Sequence, residues 1–293
     1  MIIDAQVHLW EAERPDRPWA DWARDAPMVH RRNDPLEASE ILATMDAAGV
    51  DMAVLVPPSW IGDRNEAVQE AVIAHPDRLL AFGRLPLDRR LTPRELAETL
   101  AGSHLTGFRL TFNQPALCAQ LVAGDVDWLW AGCQELDIPV MLYAPGMPEE
   151  LAAVARRFPE LRIAIDHLNL AGVHRDAAAL LNAARALEPA AALPNIRIKV
   201  SALPTYLAEG IPLHDLEPIV NWAVDRFDAD RTFWGSDMSR LRCSYREWLD
   251  VVRLGCPDLT PAERALLLGD AMARWLKLTA PAGSEIGERG ARP

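Results

Sequence analysis

What most restricts the fold of this chain is an alternation between two periods. Eight short β-rich runs recur along it: "MIIDAQVHL" (1–9), "MAVLVPP" (52–58), "LLAFGRLP" (79–86), "LTGFRL" (105–110), "PVMLYAP" (139–145), "RIAIDHLNL" (162–170), "IRIKVSAL" (196–203) and "RTFWGSDM" (231–238). Between them lie longer segments whose apolar residues fall three and four apart, the spacing of an amphipathic helix. In "LEASEILATMDAAG", Leu36, Ile41, Leu42 and Met45 share one face and Gly49 supplies a stop. "DRNEAVQEAVIAHP" is expected to start from an Asp63 cap and to end before Pro76. "TPRELAETLAG" carries Thr92 as N-cap, Pro93 at the first helical position and Glu95 at the third, the pattern of a capping box. "DVDWLWAGCQELD", "MPEELAAVARRFP", "HRDAAALLNAARALE", "LHDLEPIVNWAVDRF", "SYREWLDVVRLG" and "TPAERALLLGDAMARWLKL" continue the pattern.

Eight strands, each followed by a helix, predict a single-domain (β/α)8 TIM barrel over residues 1–280, with residues 281–293 as a flexible tail. The competing α/β solution, a doubly wound sheet, usually has fewer strands and a glycine-rich phosphate loop after the first of them. Here "HLWEAERPDRPW" follows, without a glycine. The longest connection, residues 10–35, holds Trp10, Trp19 and Trp22 and reads as a lid over the active face, or equally as a loop packing its tryptophans on the barrel rim.

The chain has 293 residues with a net charge of −12, a surface that repels nucleic acid and anionic membrane, so neither is expected as a partner. Cys118, Cys133, Cys243 and Cys256 form no CxxC and no zinc spacing and read as ordinary thiols. No signal-peptide pattern and no apolar run of transmembrane length is present, and the expected location is the cytoplasm.

In a TIM barrel the chemistry sits at the C-terminal ends of the strands. Gln6 and His8 close the first strand, two apart and therefore on one face. The third offers Arg84, the fourth Arg109, the fifth Tyr143 and the sixth Asp166, His167 and Asn169. Lys199 and Ser201 lie on the seventh, and Ser236, Asp237, Ser239 and Arg240 end the eighth. His8, His167 and Asp237 converge on one mouth if the barrel closes. His30, His75, His104, His174 and His214 fall in loops or at helix ends and are set aside.

These residues carry a family resemblance. "IDAQVHLW", "MDAAGVDMAVLV", "GFRL", "IDHLN", "IKVSAL", "FWGSDM" and "LLLGDAMARWL" together resemble the amidohydrolase superfamily, in its amidohydrolase 2 branch of lactonases, over about residues 2–278. That branch includes 2-pyrone-4,6-dicarboxylate lactonase and sugar lactonases. The resemblance implies that His8 is the second His of a first-strand pair, His167 the sixth-strand His and Asp237 the eighth-strand general base. It places Arg109 where carboxylate-binding lactonases keep an arginine. Three positions depart from the pattern. Gln6 stands for the first His, Tyr143 stands on a fifth strand without the usual His, and Met238–Ser239 follow Asp237 where Trp–Pro is usual.

Zinc prefers imidazole, thiolate and carboxylate, and a Gln amide is a poor substitute. The expected protein is therefore a metal-independent hydrolase of a lactone or related ester, with no cofactor. Asp237 would activate water. His8, His167 and the Gln6 amide would stabilise the oxyanion. Arg109, Tyr143, Arg84, Trp10 and Arg240 would bind a small substrate, possibly one bearing a carboxylate. Three alternatives stand beside it: one Zn2+ or Mn2+ held by His8, Asp237 and His167 for hydrolysis or decarboxylation; a Schiff base on Lys199; and a non-catalytic ligand-binding barrel. Trp10, Trp19, Trp22 and Trp60 suggest a flat or apolar substrate part. A homodimer is expected only by analogy.

Overall fold

A computed structural model describes residues 1–21 and 34–278. The C-terminal tail, and Trp22 and His30 of the first connection, lie outside the described residues. Eight strands form one parallel sheet in the order of the chain: β1 (Ile3–His8), β2 (Met52–Val56), β3 (Leu79–Gly83), β4 (Gly107–Thr111), β5 (Val140–Tyr143), β6 (Ile163–Ile165), β7 (Ile196–Ser201) and β8 (Thr232–Gly235). Helices fill the connections, and the architecture is a single (β/α)8 barrel. Val, Ile and Leu dominate the strands because both faces are covered, one by the barrel interior and one by helices.

Helices α1 (Ala38–Ala48), α2 (Glu66–Ala74) and α3 (Pro93–Leu100) bury the faces their spacing implies, with Ile41 and Met45 fully enclosed on α1. The Thr92–Glu95 capping box of α3 is formed on both sides. Asp63 does not cap α2; Asn65 holds the N-cap position, and Asp63 faces Arg84 instead. A helix that the apolar pattern did not resolve, α4 (Pro115–Ala123), precedes α5 (Asp127–Glu135). Helices α6 (Pro148–Arg157), α7 (Ala177–Ala184), α8 (Glu217–Phe227) and α9 (Tyr245–Arg253) complete the outer ring. The last expected helix is broken into α10 (Pro261–Ala265) and α11 (Ala271–Trp275) by a π-helical turn at Leu266–Asp270. A side chain on Gly269 in that turn would meet the Met1 carbonyl at 2.5 Å, so the turn lets the chain pass close under the start of β1.

β1 is one residue longer than the strand it pairs with. Between paired positions Asp4↔Ala53 and Val7↔Leu55 it advances three residues while β2 advances two. This is a β-bulge, which places two residues opposite one. Ala5 packs in the barrel interior, and Gln6 also turns inward, where Lys199 contacts it. Asp4 points the other way and closes the seam between β1 and β8. Its Oδ1 accepts from the Ser236 and Gln6 backbone N–H groups at 2.7 and 3.1 Å, and its Oδ2 accepts from the Tyr245 hydroxyl at 2.9 Å. The Asp237 N–H then donates to the Gln6 carbonyl at 2.8 Å.

The lower barrel is apolar. Ile3, Val54, Val56, Phe82, Met141, Ala164 and Phe233 fill it, and α11 plugs the end with Met272 and Trp275. Trp275 stacks on Phe82 with ring centroids 5.9 Å apart and 3° between planes. Trp275→Ala would open a cavity there and should cost about 3–5 kcal/mol. Urea titration should show that loss, while the folded fraction keeps its activity because the plug lies at the end of the barrel away from the site.

Candidate active site

The polar residues at the upper strand ends form two stacked layers. The upper one is His8, His167, Asp237 and Arg240. The buried Asp237 carboxylate lies between the two imidazoles: Oδ1 is 3.6 Å from His8 Nε2, and Oδ2 is 3.6 Å from His167 Nε2. Arg240 Nη1 sits 3.3 Å from Oδ2. His8 Nδ1 is 2.8 Å from the Val56 carbonyl. A carbonyl only accepts, so Nδ1 carries the proton and Nε2 of the neutral ring presents a lone pair. His167 Nδ1 is 2.8 Å from Ser201 Oγ, a hydroxyl that can donate. With Ser201 donating, His167 turns Nε2–H toward Asp237, the favourable sense beside a carboxylate.

Local backbone geometry sets these positions. His167, Leu168 and Asn169 are three consecutive left-handed residues, with φ of 54, 51 and 55°, uncommon for residues other than glycine. They end β6 after three residues, earlier than its apolar run suggests, and turn His167 into the barrel. The Asn169 carboxamide holds the turn by accepting from Ala144 N–H at 3.0 Å and donating to the Ala144 carbonyl at 2.7 Å. Asp237 is itself left-handed, at φ 51°.

The lower layer is Gln6, Lys199, Asp166 and Arg109. Lys199 Nζ lies 2.9 Å from Gln6 Oε1, 2.9 Å from Asp166 Oδ1 and 2.8 Å from Met141 Sδ. Arg109 Nε donates to Asp166 Oδ2 at 2.9 Å, and its Nη1 contacts the Thr111 hydroxyl. Burial works to raise the Asp166 pKa, but Lys199 and Arg109 outweigh it and bring the carboxyl to about 2.

Two adjoining cavities open above these layers. One, of about 150 Å³, is bounded by His8, Trp60, Arg109, Tyr143, His167 and Arg240. The other, of about 180 Å³, shares Ser59, Arg109, Thr111 and Asn113 with it and adds Arg84. Asn65 clamps the Arg84 backbone, accepting from its N–H at 2.6 Å and donating to its carbonyl at 2.9 Å. Arg84 Nε is 3.6 Å from Asp63, while its Nη1 is buried without a hydrogen-bond partner among the described residues. Burial and the like charge of Arg109 bring the Arg84 pKa down to about 10.

The structure thus gathers His8, His167, Arg109, Tyr143, Arg84 and Arg240 around one space, with Asp237 directly behind the imidazoles. Four expectations change. His8, neutral and protonated on Nδ1, cannot donate to an oxyanion. Gln6 is fully buried one layer below the cavity. Trp10 is fully buried too, and stands edge-on to Trp60 at 5.3 Å, so Trp60 forms the wall that Trp10 supports. Lys199 has no exposed surface and its ammonium is fully engaged, so it is no Schiff-base nucleophile. Of the long first connection, Trp19 packs on Trp60 at 6.4 Å and Ala20 N–H donates to the Trp60 carbonyl. Sequence reasoning missed Tyr206, whose ring lies 5.3 Å from the Arg240 guanidinium and whose hydroxyl accepts from it at 3.3 Å. It sits in a one-turn segment beyond β7, where no apolar period marked it.

The amidohydrolase family profile matches residues 3–278. The chain belongs to the amidohydrolase family. As a member of it, the protein is a hydrolase. An L-fucono-1,5-lactonase of Burkholderia ambifaria is 26% identical over 298 residues, covering 97% of this chain and 98% of that one. An amidohydrolase of Burkholderia multivorans, solved with bound Zn, superposes with a TM-score of 0.78 at 23% identity, over 95% of this chain and 100% of that one. A "probable 2-pyrone-4,6-dicarboxylic acid hydrolase" of Acinetobacter baumannii, solved with citric acid bound, gives 0.73 at 21% identity, over 94% and 99%.

The Zn-bound structure raises the question whether this donor set suits a metal. The Gln6 amide oxygen faces the Lys199 ammonium, and Arg240 already engages Asp237. Among the described residues no group of three or more His, Cys, Asp or Glu is arranged to hold an ion. Gln6 and Asp237 are thus already engaged by cationic side chains, Lys199 and Arg240.

Burial, against the opposing pull of Asp237, lowers the His167 pKa to about 3, and burial lowers that of His8 as well. A group depressed in the folded state binds its proton first when unfolded, so stability is held above about pH 6.5 and lost as the pH falls toward 3. Burial raises Asp4 to about 6, which acts in the opposite sense between about pH 3.8 and 6. Two histidines outweigh one carboxyl. Urea midpoints should therefore drop between pH 7.5 and 5, and His167→Gln should reduce that drop. An equal drop in the variant would contradict the assignment.

Proposed function

We propose that the protein is a metal-independent lactone hydrolase with Asp237 as general base. The observation that carries this reading is the Asp237 carboxylate held 3.6 Å from both imidazole Nε2 atoms, directly behind the two histidines that line the cavity. A water between His8 and Asp237 meets two acceptors, the His8 Nε2 lone pair and a carboxylate oxygen, which aim its own lone pair at a carbonyl carbon above. Asp237 takes one proton as the water oxygen bonds to that carbon. The carbonyl π electrons pass to oxygen, where His167 Nε2–H and Arg240 stabilise the oxyanion. Gln6 acts from the layer beneath. When the tetrahedral centre collapses, the ring C–O bond breaks. The departing alkoxide takes the proton from Asp237, leaving a hydroxy acid.

Arg109 and Arg84 hold the far end of the substrate, and two guanidiniums in one partly enclosed space suit a carboxylate. Tyr143 donates its hydroxyl hydrogen to the Leu170 carbonyl at 2.6 Å, so toward substrate it offers an acceptor, which suits a hydroxyl. The four cysteines are free, which suits a reducing compartment such as the cytoplasm. No helix among the described residues is long and apolar enough to cross a membrane.

Asp237→Asn should lower kcat by about 10³-fold or more, with circular dichroism and Tm unchanged; full activity in that variant rejects the assignment. Protein treated with a chelator should keep its turnover. A stoichiometric zinc or manganese requirement would replace this reading with the mononuclear one, on His8, His167 and Asp237. Arg84→Gln should raise KM about tenfold for a lactone bearing a carboxylate and leave a neutral sugar lactone almost unaffected.

A further inference from the structure

The layer beneath the site holds buried, fixed charges. In the upper layer Asp237 and Arg240 balance, and both imidazoles are neutral. In the lower layer Asp166 divides its two oxygens between two cations, Lys199 at 2.9 Å and Arg109 at 2.9 Å. Lys199 Nζ donates to Gln6 Oε1 and contacts Met141 Sδ, and it forms an ion pair with Asp166 Oδ1. Within this layer one carboxylate faces two cations, and the buried Asp4 carboxylate of the β1–β8 seam also acts on Lys199. Lys199, Asp166 and Arg109 are buried, Lys199 and Asp166 completely, so water screens their charges poorly.

Lys199 also decides how its neighbours point. A carboxamide whose oxygen faces an ammonium has its N–H2 turned away from it. Gln6 Nε2 is buried and has no hydrogen-bond partner among the described residues. Reversing that amide would bring N–H2 against the ammonium, so the ion locks the orientation. On the other side, Asp166 carries the influence of Lys199 to Arg109, which bounds both cavities.

We propose that Lys199 is a positioning residue that serves as a fixed internal cation for the hydrolytic site. This rests on the lactone-hydrolase reading. The ammonium supplies a fixed, water-excluded positive charge under the place where the oxyanion forms, and it holds Gln6 with its donor turned away from the lysine. A group of this kind acts on the transition state, where negative charge develops, more than on the neutral ground state. Its removal therefore falls on kcat. Asp166, by contrast, acts through Arg109, and its neutralisation falls on substrate binding.

The test compares Lys199→Met, a neutral near-isostere beside Met141, with Asp166→Asn, using a carboxylate-bearing lactone. Lys199→Met should lower kcat about 10²-fold with KM changed less than about threefold. Asp166→Asn should raise KM about tenfold with the smaller loss in kcat. Should Lys199→Met fail to fold because Asp166 is left facing one cation fewer, the double variant Lys199→Met/Asp166→Asn removes both members of the buried pair together and is expected to fold. Its kcat should still fall about 10²-fold. Wild-type kcat in any folded variant lacking Lys199 would overturn the proposal, as would matching losses in kcat and KM from both single substitutions. Asp237→Asn separates the two readings: if it is inactive while the Lys199 variants keep full kcat, the hydrolase stands and the internal cation falls.

Discussion

One extra residue in β1 organises the upper half of this barrel. The bulge between Asp4 and Val7 turns Ala5 and Gln6 to the same side and leaves His8 inward at the strand end. It interrupts the ladder at the place where β1 must meet β8. The Asp4 carboxylate closes that gap by accepting two backbone N–H groups, one from each strand. The Gln6 carbonyl, released from a regular ladder, takes the Asp237 N–H. Asp237, its neighbour His8 and the Gln6 amide beneath are thereby placed by a single irregularity. Asp4 holds this seam although burial raises its pKa to about 6, and its partners Ser236 and Tyr245 limit that rise.

Above the apolar plug, polarity increases in layers. Met141 is the last apolar contact on the way up, and Lys199 touches it from above. Lys199, Asp166 and Arg109 form a buried chain of charges whose members cannot be removed singly without exposing another. Next come His8, His167, Asp237 and Arg240, then the cavity. Each polar side chain is oriented by a neighbour: Gln6 by Lys199, Arg109 by Asp166, His167 by Ser201 and His8 by the Val56 carbonyl. The Val56 carbonyl fixes the His8 proton on Nδ1, and with Ser201 donating, His167 carries its proton on Nε2, so the two imidazoles present unlike atoms to Asp237.

Much of this was legible in the chain. The strand–helix alternation predicts the barrel, and the offset of two between Gln6 and His8 places them on one face even though Gln6 lies within the bulge. Capping at Thr92–Glu95 follows from local chemistry and is formed as written. Other features were not legible. Asp63 has the composition of a cap and instead faces Arg84, because a guanidinium brought close by tertiary packing competes for it. Trp10 and Trp60 are indistinguishable as letters, yet one is the wall and the other its support. Tyr206 lies in a short turn, and its importance comes from contacts with residues far apart in the chain, Arg240 and His167.

The sequence by itself determined the fold class, the face on which chemistry could sit and the residue types available there, because each follows from local periodicity and from the rule that barrel sites gather at strand ends. The tertiary structure alone decided which of those residues meet, in which tautomer and with what charge. Those properties depend on partners far apart in the chain: Val56 for His8, Ser201 for His167, and Gln6 for Lys199, 193 residues away. A hydrogen bond between strands fixes the position of a proton, and no local pattern of residues carries that information.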